Sequence, residues 1–348
     1  MSRAAALVAA AALAGPAVAQ GPPREASVVT SLTIFAGTAR GLFRSRDWGT
    51  SFQRVLGGGM DAPLERMGAV GCLLPVGPQV IVGAETGVYH SSDFGETWKR
   101  VSDAGACTAL LGSRYPLADR MLFLGTPGGL LRSALDPYAP EDAPRTFAAI
   151  PIAAGRVARI EWPGPLLFVA TAEGLFVSPD SGASAARVET DPKASLPAGA
   201  VTALVVSAFF AADPSMVVAV GTEGVFRSAD GGRRWSHAGL RGRRVHELTW
   251  FGPFLYAATD AGLFRTEDLG NNWTALGEGL AGREARRLLF PLAPASGAEA
   301  FLGTDRGIYW TGDGGHNWRP LPGLLADEPI LALATFPAPD PVRKKGGR

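Results

Sequence analysis

The octet SSDFGETW, Ser91 to Trp98, returns along the chain as SADGGRRW (Ser228–Trp235), TEDLGNNW (Thr266–Trp273) and TGDGGHNW (Thr311–Trp318). Each octet closes a longer unit of two short apolar runs joined by a glycine turn, as in YAATDAGLFRTEDLGNNW. Seven such units can be aligned on the turn glycines Gly41, Gly87, Gly129, Gly174, Gly224, Gly262 and Gly307, which gives a mean period of about 44 residues. A unit of that length cannot bury its apolar face alone, so successive units must pack on one another.

The pattern inside a unit is strand, turn, strand, turn, strand. A further apolar segment precedes each unit: GAVGCLLP, ACTALLG, RVARIEW, VTALVVS, HELTWF and ARRLLFP. That makes four antiparallel strands per repeat, which is the blade of a β-propeller. The first unit lacks a leading strand, whereas the last is followed by PILALATF, Pro329 to Phe336. We therefore expect an all-β, seven-bladed propeller over 27–336, in which the C-terminal strand is the innermost strand of blade 1 and removes the open edges. The content of 45 glycines and 27 prolines suits many short strands and tight turns.

Other segments frame this domain. MSRAAALVAAAALAGPAVAQ has a basic start at Arg3, an apolar run from Ala4 to Ala14 and an Ala17-Val18-Ala19 cleavage pattern. It reads as a secretory signal over 1–19, followed by a short lead over 20–26. The basic residues 337–348 read as a disordered tail. No later segment is long and apolar enough for a transmembrane helix. With 33 basic and 32 acidic residues, bulk charge gives no reason to expect nucleic acid. The expected product is an extracytoplasmic, periplasmic or secreted, monomeric propeller.

The octet's residue types serve a turn. Asp and Ser/Thr side chains bond backbone N–H groups, and Gly supplies a backbone angle that other residues resist. The Trp is a large apolar plug. The S-x-D-x-G-x-T-W pattern resembles the Asp-box, or BNR repeat, found in sialidases, sortilin-type receptors, some secreted glycosidases and a photosystem II assembly factor family. The resemblance covers nearly the whole chain after the leader and implies a propeller, with the boxes on peripheral hairpins away from the ligand. On that basis Asp47, Asp93, Asp180, Asp230, Asp268 and Asp313 are structural, one carboxylate per turn being far short of calcium's six to eight oxygens. The box departs from the pattern at Phe52, at Ala185, and in blade 3, where LDPYAPEDAP replaces it.

Loops on the opposite face are then the place for binding. Glu85, Glu173, Glu223, Asp260 and Asp305 recur there in equivalent turns and read as turn chemistry. Arginines cluster in the links between blades: Arg241, Arg243 and Arg244 in GLRGRRVHEL, Arg283, Arg286 and Arg287 in GLAGREARRL, and Arg156 and Arg159 in AGRVARI. Aligning the inner strands sets Arg159, Glu247 and Arg287 at one level near the channel mouth. These arginines either pair with Glu247, Glu284 and the acidic turns, or gather a carboxylate, phosphate or acidic protein loop. The four histidines lack metal-ligand spacing, so no metal or cofactor is expected, and no catalytic set emerges. The same alignment puts Cys72 at the Glu247 level and Cys107 at the Val245 level, which on a period of two sets them on the same strand face and argues against a disulfide.

The reading is an exported, non-catalytic scaffold that binds a protein or anionic ligand, acting as an assembly or stability factor. The alternative is an extracytoplasmic glycoside hydrolase or carbohydrate-binding protein of the BNR-repeat type.

Overall fold

The structure is a computed structural model that describes residues 32–55, 67–76, 79–113, 121–134, 145–152, 155–280, 282–291 and 298–337. The expected signal, the short lead, the blade 3 insertion at 135–144 and the tail beyond Pro337 lie outside the described residues.

Seven sheets of four antiparallel strands form a ring. Six sheets are consecutive in sequence, and the seventh is closed by the C-terminal strand. Ile330–Pro337 pairs antiparallel with Leu32–Thr38 in register Leu32↔Pro337 to Gly37↔Ala332, and Gly41–Ser45 and Gln53–Arg54 complete blade 1. The clasp expected from PILALATF is therefore present. Its Ile330, Ala332 and Ala334 are buried, because each inner strand packs between neighbouring sheets as well as within its own.

The inner strands of blades 2 to 7 are Val70–Val76, Ala109–Gly112, Val157–Glu161, Val201–Val206, Val245–Phe251 and Ala285–Leu289. Most of them begin with a bulge. Pairing slips between Val70 and Cys72, Val157 and Arg159, Val201 and Ala203, Val245 and Glu247, and Ala285 and Arg287. A bulge re-aims the side chains that follow it. Here the residue before it packs back on the preceding blade, and the residue after it lines the central channel.

The octets hold sheets to one another. In blade 2, Ser91 Oγ donates to Asp93 Oδ1 at 2.8 Å and accepts from the Gly95 N–H at 2.8 Å. Asp93 accepts from the Thr97 amide at 2.8 Å and from the Thr97 hydroxyl at 2.5 Å. Phe94 and Gly95 both have left-handed backbones, with φ of 59° and 82°. A Cβ on Gly95 would strike the Phe35 ring of blade 1, and Phe35 meets Trp98 edge-on with centroids 6.1 Å apart. The Ser/Thr–Asp bond recurs at Asp47, Asp180, Asp230, Asp268 and Asp313. Hydrogen bonds from Ser184 lower the Asp180 carboxyl to about 2, and those from Asn272, led by its backbone N–H, lower Asp268 to about 2.

The two cysteines correct the sequence expectation. Cys72 and Cys107 form a disulfide, with Cα atoms 6.1 Å apart. Their levels on the inner strands are as aligned, but the bulge breaks the period of two between those levels. Cys107, at the level of Val70 and Val157, turns back over Gly83, where an added Cβ would collide with its Cβ and Sγ. Gly83 is the cross-strand partner of Cys72, so the two sulfurs meet at the seam between blades 2 and 3.

One buried group sets a pH response. His90, 4% exposed in the third strand of blade 2, has Nε2 3.2 Å from Gln79 Oε1. Burial, and then the charge of Arg145, lower its pKa to about 4. The folded state thus prefers the neutral ring: its contribution is complete above the unfolded value near 6.5 and is lost as pH falls toward 4. We expect His90→Gln to be less acid-sensitive than the native chain by about 2–3 kcal/mol between pH 7 and 4.5, read from urea unfolding. Asp180 and Asp268, whose own contribution fades as pH approaches their unfolded value of 3.8, respond alike in both chains and cancel from the difference. Parallel pH profiles for the two chains would refute the assignment.

Candidate arginine face and central channel

Because the inner strands run in the same direction around the ring, equivalent residues form rings of side chains. The residue at this level, which follows a bulge in blades 1, 2, 4, 5, 6 and 7, is Ala332, Cys72, Ala109, Arg159, Ala203, Glu247 and Arg287 in blades 1 to 7. Small residues on blades 1, 2, 3 and 5 leave room, and blades 4, 6 and 7 fill it with charge. The resulting channel has a volume of about 340 Å³. Three residues that the sequence alignment set at one level therefore do meet.

The meeting has a definite geometry. Arg159 Nε lies 3.1 Å from Glu161 Oε1, and its Nη1 reaches past blade 5 to within 3.7 Å of Glu247 Oε1. Glu247 Oε2 accepts the Leu288 amide of blade 7 at 2.8 Å. Burial alone would lower the Arg159 pKa, but Glu161 and Glu247 reverse that and hold it above its ordinary value. Arg159 keeps 44% of its side chain accessible, through the channel.

Arg287 differs. Its Nη1 donates to the Arg286 carbonyl at 2.9 Å, and it forms no ion pair within 4.0 Å with a described carboxylate. Burial lowers its pKa, Glu247 opposes, and Arg159, Arg286 and Arg156 lower it further. The guanidinium stays charged, but in surroundings that do not neutralise it.

The remaining arginines divide between the two sequence-derived alternatives. Arg286 Nη2 pairs with Glu284 Oε2 at 3.0 Å, while Glu284 Oε1 lies 2.7 Å from His246 Nε2 of blade 6. Arg283 Nε donates to the Tyr309 hydroxyl at 3.3 Å. Arg156, Arg241, Arg243 and Arg244 are exposed and make no ion pair with a described carboxylate. They sit on the link face, where link backbone meets the turns: the Ala172 N–H bonds the Arg156 carbonyl, and the Asp260 N–H bonds the Arg244 carbonyl. The acidic turns serve those contacts too. Glu85 Oε2 accepts from the Ala69 amide at 3.3 Å and Asp305 Oδ1 from the Glu284 amide at 3.1 Å.

Two channel residues escaped the sequence reading. Glu161 stands two residues after Arg159, so strand alternation could have found it. His246 falls in the bulge, where alternation says nothing. Among the described residues, no three His, Cys, Asp or Glu side chains gather to hold a metal ion, and no helix is long and apolar enough to cross a membrane.

No protein-family model and no curated protein sequence matches the chain. Solved propeller structures do. An ancestral GH74 enzyme is 13% identical with a TM-score of 0.61, over 86% of this chain and 47% of that one. The GH74 xyloglucanase from Xanthomonas campestris is 18% identical with a TM-score of 0.56, over 71% and 44%. The extracellular domain of a hybrid two component system from B. thetaiotaomicron is 13% identical with a TM-score of 0.59, over 74% and 34%. The chain spans between a third and a half of these structures' lengths, and the likeness establishes the fold alone.

Proposed function

We propose that this propeller is an exported, non-catalytic scaffold that holds a protein or anionic partner on its link face, as an assembly or stability factor. The supporting observation is the group of exposed arginines, Arg156, Arg241, Arg243 and Arg244, without intramolecular ion pairs to described carboxylates. Guanidinium groups left free on a rigid loop face suit carboxylate or phosphate groups of a partner. Export is supported by the Cys72–Cys107 disulfide, which persists in oxidising compartments, by the leader-like residues 1–19 and by an extracellular domain among the fold's neighbours.

The test is capture from a lysate of the native host. The Arg243→Ala, Arg244→Ala double variant should retain less than a tenth of the partner held by the native chain, with a Tm within about 2 °C of native, since surface changes away from packed sites cost little. Undiminished capture would sink the reading. The alternative, a carbohydrate-active protein, draws on the GH74 neighbours and on Glu161 and Glu247 facing the channel. Both carboxylates are engaged by Arg159, which favours the scaffold. Release of reducing ends from xyloglucan by the native chain, lost in Glu247→Gln, would reverse that preference.

A further inference from the structure

The channel is divided by chemistry. Blades 4, 6 and 7 contribute Arg159, Glu161, Glu247 and Arg287 to its wall. Blades 1, 2 and 3 contribute Leu333, Leu73, Leu74, Leu110 and Leu111. One side can hold charge and the other can cover an apolar body.

The charges are unevenly satisfied. Both carboxylates hold Arg159, and the second oxygen of Glu247 is taken by the Leu288 amide. Arg287 is left with one peptide carbonyl. A half-buried guanidinium without a counter-ion has lost water and gained little in return. Its planar fork matches a carboxylate in a bidentate pair. A second negative charge on the same ligand would face Glu161 and Glu247 across a channel of about 340 Å³. A singly charged group therefore fits better than a phosphate dianion.

We propose that the channel binds a small organic monocarboxylate, its carboxylate forked on Arg287 and its apolar body lying against the leucines of blades 1 to 3. This rests on the reading of the arginines as an anion-recognising set, and it adds a small-molecule site in the channel that is separate from the partner-holding rim. Arg159, fixed by Glu161 and Glu247, positions the pocket's charged side and does not itself have to change partners.

Isothermal titration in alkaline buffer, where hexylphosphonate is a dianion, tests it with hexanoate, acetate and hexylphosphonate. Hexanoate should bind the native chain saturably at one site, at least tenfold more tightly than acetate or hexylphosphonate. Arg287→Gln should weaken hexanoate at least tenfold, and Arg287→Lys, which keeps the charge but loses the fork, should weaken it as well. The Arg243→Ala, Arg244→Ala variant should bind hexanoate as the native chain does. The proposal is overturned if the native chain shows no saturable hexanoate binding, if acetate or hexylphosphonate binds as tightly, or if folded Arg287→Gln is unaffected. The native-chain arms decide the matter even if the Arg287 variants do not fold. Loss of the hexanoate site with capture through Arg243 and Arg244 intact would remove this inference alone. Loss of capture with hexanoate binding intact would remove the scaffold reading.

Discussion

Ending the chain after Glu328 is expected to abolish cooperative unfolding. The deleted strand, Ile330–Pro337, is the inner strand of blade 1, and Ile330, Ala332, Ala334 and Thr335 are buried in the native ring. Ile330 also fills the seam with blade 7, where its Cγ2 would lie 2.6 Å from a Cβ placed on Gly303. Exposing this strand's apolar surface costs about 5 kcal/mol or more at the usual area coefficient. That is comparable with the whole net stability of an ordinary domain. Leu32–Thr38 would in addition become an unpaired edge beside the central channel, and such edges pair with other chains. The shortened chain should elute as aggregate or melt without a sharp transition, and a synthetic peptide spanning 329–337 should restore part of the transition when added during refolding. A shortened chain that melts cooperatively within about 2 °C of the native one would show that the clasp does not hold the ring.

The second large effect is expected at the blade 2–3 seam. Closing a 35-residue loop through Cys72 and Cys107 stabilises the fold by about 4 kcal/mol in the chain-entropy treatment. For a domain of this size that corresponds to roughly 8 °C in Tm. A Cys72→Ala, Cys107→Val variant separates cross-linking from packing. Valine already stands at the equivalent position in Val70 and Val157, each against a glycine of the preceding blade, Gly37 and Gly125. The variant should melt about 8 °C below the oxidised native chain and together with the reduced one, and dithiothreitol should leave its Tm unchanged. Equal melting of the variant and the oxidised native chain would refute a stabilising role for the bond.

The ring itself could be read from the sequence because its signals are local. Each turn glycine and each Ser/Thr-x-Asp-x-Gly run fixes its hairpin through bonds within a few residues, as between Ser91, Asp93 and Gly95. The level of Arg159, Glu247 and Arg287 was legible as well, since it needs only that inner strands be aligned. The disulfide was not. Its geometry depends on a bulge between Val70 and Cys72, and nothing in GAVGCLLP announces that extra residue. The pairing of His246 with Glu284 was hidden for the same reason: the histidine lies within a bulge, where alternation gives no direction. The split among the arginines, with Arg286 tied to Glu284 and Arg287 left without a carboxylate, depends on side-chain reach across blades, which no single-strand pattern encodes.

The residue two places before each channel-lining one rests on one small residue of the preceding blade, and these pairs are not uniform. Gly303 receives Ile330, Gly37 receives Val70, Gly83 receives Cys107 and Gly125 receives Val157. In the other three seams alanine stands in the glycine's place: Ala170 packs in one cluster with Val201, Ala219 with Val245, and Ala258 with Ala285. The largest knob, Ile330, meets a glycine and the smallest, Ala285, meets an alanine, while valine stands against both. The repeats are thus alike in outline but matched as a sequence of neighbours. Exchanging blade 7 for blade 5 would bring Ile330 against Ala219, a pairing that occurs at none of the seven joints, and overfill that joint. For anyone recombining these blades, the transferable unit is the joint together with both its sides, not the sheet.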